Sequence, residues 1–422
     1  MKLIFVANPT VGHTNFLISL AAHAQKSGFN VLFFIPGLKS NWIRKVIDNP
    51  IFQIAEKLKS NKIPFDLIPI SLLQCILAGL LETKRGLDEV LYALKVFSAG
   101  AKHYTNYLIE EFVKDRPDAI IYDYTFFPAV AVSEKLNIPR IAIYHSGLPF
   151  PEYPIPFLGT NYKYGEIPEK EFVQYSELLS GLEKETKAKY EKVIGQNIKT
   201  NLLKTANSNL LNIITTVKEA EYPRKTMPET IEFTGPSISG QPDNNDQPFF
   251  DKKNKKLIYI SLGTFFNKQP DLFVRIIKGV NLPDTEILVA AGGSYQQILK
   301  YNFNNNVHIE KYVPQINVLK CADVFITHGG KNSINEALKF EVPMILFPAG
   351  GEQEYNASLV EYLNAGKNFS PIIDNFTIND LNNALHFLMN NEIIKSSLKN
   401  IAEKHPKVDG AEKALSLIIN KL

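Results

Sequence analysis

The sequence predicts an α/β protein built from two doubly wound, parallel-sheet domains in tandem. Three observations carry that reading. Short apolar runs alternate with stretches of helical periodicity in the first half, the same alternation restarts near residue 257, and a segment rich in Gly, Pro and Asn separates the two. Strand-helix-strand units of this kind close as right-handed parallel crossovers, so each half is expected to form a sheet covered on both faces.

Taken in order, Leu3 to Ala7 is the first apolar run, and Phe16, Leu17, Leu20, Ala21 and Ala24 then recur at the spacing of one helix face. Gly28 stops that helix before Val31 to Phe34. The next unit starts at Ala119 to Tyr122, continues through Ala129, Val132 and Leu136, and returns at Ile141 to Tyr144 after Pro139. A Lys/Glu-rich stretch, Leu182 to Lys192, reads as a solvated helix face. The second series is Leu257 to Ser261, Glu286 to Ala291, Val324 to Thr327 and Met344 to Phe347. Between the series, Gly235, Pro236, Gly240, Pro242, Asn244, Asn245 and Pro248 give linker composition. The expected division is a domain at 1–234, a linker at 235–255 and a domain at 256–422 whose last helix can pack back on the first.

Composition removes several classes of function. With 46 Lys+Arg against 43 Asp+Glu, the net charge of +3 is too small for a broad polyanion-binding face, so nucleic acid is not an expected partner. Cys75 and Cys321 stand alone, in neither a disulfide nor a zinc spacing. The first apolar run ends at Ala7, short of a secretory h-region, and Leu67 to Leu81 is interrupted by Pro69 and Gln74 and falls short of a membrane span. That stretch reads as a buried helix or as the lining of an apolar pocket. A cytoplasmic enzyme is the expectation.

The chemistry concentrates in Ile326-Thr327-His328-Gly329-Gly330-Lys331-Asn332-Ser333-Ile334-Asn335-Glu336, a strand exit, a double glycine and a helix start. Glycines let an anion approach the backbone, the unpaired N–H groups of the helix start point at it, and the macrodipole favours its charge. His328, Asn332 and Ser333 add donors. The same residues read alone also fit a tight turn with a Ser333-x-x-Glu336 capping box.

Upstream lies Tyr312-Val313-Pro314-Gln315, and downstream Pro348-Ala349-Gly350-Gly351-Glu352-Gln353-Glu354-Tyr355-Asn356-Ala357. Together, over Tyr312 to Gly366, these resemble the nucleotide-sugar signature of the UDP-glycosyltransferase family, bacterial macrolide and natural-product members included. Weaker resemblance extends to Ser261-Leu262-Gly263-Thr264 and to Gly12-His13. The resemblance implies a GT-B fold, two Rossmann-like domains facing across a cleft. It also implies that His328, Asn332, Ser333 and Thr264 contact the diphosphate, that Gly330 belongs to the same donor-binding site, that Glu336 binds ribose hydroxyls, and that Val313 and Gln315 hold the base. Tyr312 stands at the base-stacking position, commonly tryptophan in plant members, and Glu352-Gln353 stands where Asp-Gln grips the donor sugar.

By the same resemblance, His13, in the loop after the first strand, occupies the place of the family's catalytic histidine, Gly12 before it counts with the donor-binding residues, and Asp123, at another strand exit, takes the place of the orienting aspartate. An imidazole, with a pKa near 6.5, suits the removal of a proton from an attacking hydroxyl, and a carboxylate on its other nitrogen would fix the tautomer. The implied reaction is an inverting, metal-independent hexosyl transfer. The sugar moves from a nucleotide-diphosphate co-substrate, UDP-linked in the leading reading, to a hydroxyl of a small hydrophobic acceptor; no separate cofactor is implied. No D-x-D, H-E-x-x-H, P-loop or G-x-G-x-x-G pattern is present. His145 could line the acceptor pocket or be an ordinary loop histidine. The loop Gly147 to Pro156, followed by Phe157, Tyr162 and Tyr164, could cover an apolar acceptor or simply pack on its own aromatics. Two other functions stay open: transfer to a membrane lipid, sterol or carotenoid with peripheral membrane contact, and nucleotide-sugar binding without turnover.

Overall fold

Strands apolar at every position need cover on both faces, and this chain supplies it by alternating them with helices. The computed structural model describes residues 1–37, 50–70, 86–238, 249–263 and 269–422. In it β1 (Lys2–Val6) leads to α1 (Val11–Lys26), β2 (Asn30–Gly37), α2 (Pro50–Ser60), β3 (Phe65–Pro69), α3 (Gly86–Ala99), α4 (Ala101–Lys114) and β4 (Ala119–Asp123). Then come α5 (Pro128–Leu136), β5 (Arg140–Tyr144), a proline-rich loop, α6 (Glu169–Ile194), β6 (Leu211–Ile214) and β7 (Ile231–Phe233). These strands form a parallel sheet ordered β3-β2-β1-β4-β5-β6-β7. The order reverses between β1 and β4, which pair with Val6 opposite Tyr122. At such a reversal the loops leaving the two strands diverge and open a crevice.

The second sheet is built from β8 (Lys256–Ser261), α7 (Pro270–Gly279), β9 (Thr285–Ala290), β10 (Val307–Glu310), α8 (Gln315–Leu319), β11 (Val324–Thr327), α9 (Lys331–Lys339), β12 (Met344–Leu346), α10 (Glu352–Tyr362) and β13 (Gly366–Asn368). Its order is β10-β9-β8-β11-β12-β13, with the reversal between β8 and β11. The helices α11 (Ile378–Asn390), α12 (Glu392–Glu403) and α13 (Gly410–Lys421) close the chain. The architecture is two Rossmann-like parallel-sheet domains, as the alternation of periods implied. The strands read from apolar runs are β1, β2, β4, β5, β8, β9, β11 and β12; β3, β6, β7, β10 and β13 were not read.

One face of the first sheet, with Leu3, Phe5 and Phe33, packs on Phe16 and Leu20 of α1, Ile54 and Leu58 of α2, and Leu415 and Ile418 of α13. The opposite face, with Ile4, Val6, Ile120 and Tyr122, packs on Leu108 and Phe112 of α4, Val130 of α5 and Tyr190 of α6. The last helix therefore belongs to the core of the first domain. Its entry is pinned by Asp409, whose carboxylate accepts from Ser237 Oγ at 2.8 Å, Ile238 N at 2.7 Å and Ala411 N at 2.9 Å. Of the linker-like segment, residues 239–248 lie outside the described residues.

The Lys/Glu-rich stretch on α6 is not wholly solvated. Glu183 is buried and accepts the N–H groups of Leu202 at 2.9 Å and Leu203 at 3.4 Å, because that turn presents orphan amides to the helix and needs an acceptor. Cys321 is a free, half-buried thiol, and Cys75 lies outside the described residues, as does 71–81 of the long apolar stretch. Among the described residues no helix is long and apolar enough to cross a membrane.

Candidate active site

The carboxylate of Asp123, the last residue of β4, is fully buried. Its Oδ2 meets His13 Nδ1 at 2.8 Å and accepts from Thr125 Oγ1 at 3.0 Å, while Oδ1 accepts the Thr125 N–H at 3.0 Å. Asn8 Nδ2 donates to Thr125 Oγ1 at 2.9 Å, so the turn holding the carboxylate is itself held. Burial would raise the Asp123 pKa, but the charge and hydrogen bond of His13, the nearby His145 and the Thr125 amide outweigh it and leave the group below its ordinary value. For His13 burial pulls downward, while the charge and hydrogen bond of Asp123, joined by the charge of Glu352, carry its pKa above 6.5. About 19% of the His13 side chain remains exposed.

His13 was expected in the loop after β1, and it stands instead in the first turn of α1. Past Pro9 nothing in Val11-Gly12-His13 breaks a helix, and Thr14 closes the turn through N–H and Oγ on the Thr10 carbonyl, both at 3.1 Å. His145, just past β5, lies against His13 with ring centroids 3.5 Å apart and the planes tilted by 38°. Among the described residues, His13, Asp123 and His145 form a group whose potential metal-ligating atoms lie within 4.8 Å of one another. In the structure Nδ1 of His13 and Oδ2 of Asp123 are used on each other.

Opposite lies the start of α9. Gly329, at φ +90°, turns the chain from β11, and Gly330 is the N-cap. The His328 ring lies so close to Gly263 and Gly330 that a Cβ at either would collide with it, at 2.8 Å from Nε2 in the case of Gly330. Burial lowers the His328 pKa to about 4, so it is a neutral ring able to donate one N–H. Asn332 Nδ2 reaches the Gly12 carbonyl at 3.2 Å, which joins the starts of α1 and α9.

Gln315 organises the rest of the pocket wall. Its Nε2 donates to Ser333 Oγ at 3.1 Å and to Glu336 Oε2 at 2.7 Å, and its Oε1 accepts from Tyr259 at 3.1 Å. A pocket at the junction is lined by Asn15 and Phe16 of α1, Asn332 and Glu336 of α9, and Thr215, Pro236 and Ser237. Tyr312 is 65% exposed and Val313 half-buried beside this wall. Glu352 begins α10, and Gln353 is buried with Oε1 accepting the Ala349 N–H at 2.9 Å. Thr264 lies outside the described residues.

Two features were not legible from the sequence. Lys331, inside the glycine-rich segment, is buried and pairs with Glu221 at 2.8 Å, while Asn335 accepts from Thr216 Oγ1 at 2.7 Å and donates to the Thr215 carbonyl at 3.1 Å. The buried side of α9 is thus stitched to the first domain. The proline-rich loop is neither a free cover nor packed only on itself. Its Ile155 clusters with Tyr222 and with Tyr355 and Leu359 of α10, and Tyr164 lies 5.6 Å from Tyr222 and 5.0 Å from Tyr362. Aromatic side chains that cannot all be buried within one domain are buried between the two.

The arrangement offers a proton acceptor beside an electropositive helix start. Comparison with known proteins gives the family of the chain. Residues 173–409 match the family described as UDP-glucoronosyl and UDP-glucosyl transferase. The NDP-glycosyltransferase YjiC of Bacillus subtilis (strain 168) is 30% identical over 311 residues, 74% of each chain. The uncharacterized UDP-glucosyltransferase YojK of the same strain is 26% identical over 340 residues, 80% of each. The solved glycotransferase of kitacinnamycin superposes with a TM-score of 0.76 at 20% identity, covering 100% of this chain and 98% of that one, a likeness of fold.

Proposed function

The chain belongs to the UDP-glucoronosyl and UDP-glucosyl transferase family, glycosyltransferases that take sugar from a nucleotide sugar, and from that premise we propose an inverting, metal-independent transfer to a small hydrophobic alcohol or phenol. The observation that carries the reading is the His13–Asp123 pair placed beside the start of α9, with Asn332 bridging to the Gly12 carbonyl. Nε2 of His13 takes the proton of the acceptor hydroxyl as its oxygen attacks the anomeric carbon. The bond to the diphosphate oxygen breaks on the opposite face, and configuration inverts. Asp123 holds the tautomer and stabilises the imidazolium.

Charge appearing on the diphosphate is met by the amides of the helix start, the His328 N–H, Asn332 and Ser333, with Thr264 the remaining donor of the motif. Glu336 accepts two ribose hydroxyls, Tyr312 stacks on the base, and Val313 and Gln315 hold its edge. Glu352 and Gln353 face the donor sugar; the charge of Glu352 felt at His13 supports placing the transferred group between them.

Thermal unfolding with UDP, TDP or GDP, each with and without magnesium, tests the donor half. A nucleotide at 100 times its dissociation constant stabilises the native state by about 2.7 kcal/mol, and that shift is expected with UDP and without magnesium. No shift with any nucleotide would reduce the helix start to a structural turn. Glu336→Ala is expected to raise KM for the nucleotide sugar roughly 10- to 100-fold, from about 1.5–3 kcal/mol of charge-assisted hydrogen bonding, with kcat changed far less. An unchanged KM in steady-state kinetics would remove Glu336 from the ribose.

A further inference from the structure

His145 is the one histidine at the site without a part in the transfer just described, and its placement is unusual for a residue of the core. It is 5% exposed, yet neither ring nitrogen has a hydrogen-bond partner among the described residues. A buried imidazole without a hydrogen bond is costly, so what holds it there lies in its other contacts. Its neighbours explain its orientation. Nδ1 lies 3.7 Å from Asp123 Oδ1, the Tyr124 ring is 5.4 Å away, and the His13 ring lies against it at 3.5 Å between centroids, the planes tilted by 38°.

We propose that His145 is the positioning residue of the base, a flat platform that keeps the His13 ring aligned with Nδ1 on Asp123 and Nε2 toward the acceptor. The inference rests on the reading of His13 as the base. Both Nδ1 edges approach one carboxylate, at 2.8 and 3.7 Å, so the opposite edge of His13 faces away from Asp123. Phe97 touches the His13 ring less closely, at 6.3 Å and a tilt of 59°, so His145 is the closer ring contact restraining rotation of the imidazole.

The platform also stays out of the proton transfer. Burial and the adjacent His13 lower the His145 pKa to about 3, against the opposing pull of Asp123, so the proton taken from the acceptor resides on His13. The charged groups acting on the two rings are Asp123 from β4 and Glu352 from α10, and the Tyr124 ring lies 5.4 Å from His145.

The test compares H145L, which fills the volume without a flat face, with H145F, which restores the face without nitrogens. H145L is expected to lower kcat roughly 10- to 100-fold, as misplacement of a catalytic group does, with KM for the nucleotide sugar unchanged. Loss of alignment with Asp123 also removes what raises the His13 pKa, so the acid limb of the rate profile moves to lower pH. H145F is expected to recover most of the rate and the original limb. Wild-type kcat and pH profile in H145L, or an H145F as defective as H145L, would overturn the proposal. Thermal stabilisation by UDP serves as the folding control for both. His13→Ala measured alongside separates the two readings: an inactive His13→Ala with a fully active H145L sinks only the platform, whereas a fully active His13→Ala sinks the base and the platform with it.

Discussion

His13→Ala is expected to lower kcat by roughly 100- to 10,000-fold, the usual contribution of a positioned general base, while binding of the nucleotide is unchanged. The imidazole is held on the carboxylate of Asp123, and the diphosphate is assigned to the start of α9 in the proposed mechanism, so the loss is expected in the chemical step. The pH dependence has a definite sign. His13 accepts a proton only when neutral, and its pKa lies above 6.5, so kcat/KM falls as pH drops through that raised value. Asp123→Asn removes the charge that raises it, so the acid limb moves to lower pH and the maximal rate drops with the loss of the correct tautomer. Initial rates from about pH 5 to pH 9 read both effects. Full activity of His13→Ala would sink the mechanism.

The second large effect is on stability. Lys331→Met leaves the Glu221 carboxylate buried without its cation, and a buried pair broken on one side costs about 3–5 kcal/mol. The double variant Lys331→Met/Glu221→Leu removes both charges and is expected to recover most of that loss, since apolar side chains fill such a site at little or no net cost. Urea denaturation of the two single variants and the double measures the coupling. Equal destabilisation by the double and the singles would mean that the pair matters for its packing and not its charge. Because Lys331 opens α9, the single variant is also expected to weaken nucleotide binding.

How much of this was legible depends on whether the cause was local. The strand-glycine-helix turn at α9 is legible because its parts are nearly contiguous: a strand exit, two glycines and the polar first turn of the helix lie within one short segment. The central strands could be read because they are buried on both faces. By contrast β13 is Gly-Lys-Asn, paired with β12 through its backbone alone, and leaves no apolar run. Glu221 gives no sign of the cation that meets it 110 residues later, nor does His145 of the ring it supports. The start of α1 was misplaced because Gly12 reads as a loop residue, while the Thr14 bond that closes the helical turn is visible only in three dimensions.

The return of α13 to the first sheet has a consequence for biogenesis. Leu415 and Ile418 complete the face that holds Leu3 and Phe5, so a nascent chain that has finished β7 at Phe233 carries an open core until the helix Gly410–Lys421 is made. The core of the second domain runs from β8 to α12, with Val217 and Ala220 packed into it, and all of these residues precede α13, so it can close first. Maturation therefore runs against the direction of translation: the domain synthesised first is sealed last. Until then Phe16 and Leu20 of α1 lack the cover that Leu415 and Ile418 give them in the folded chain.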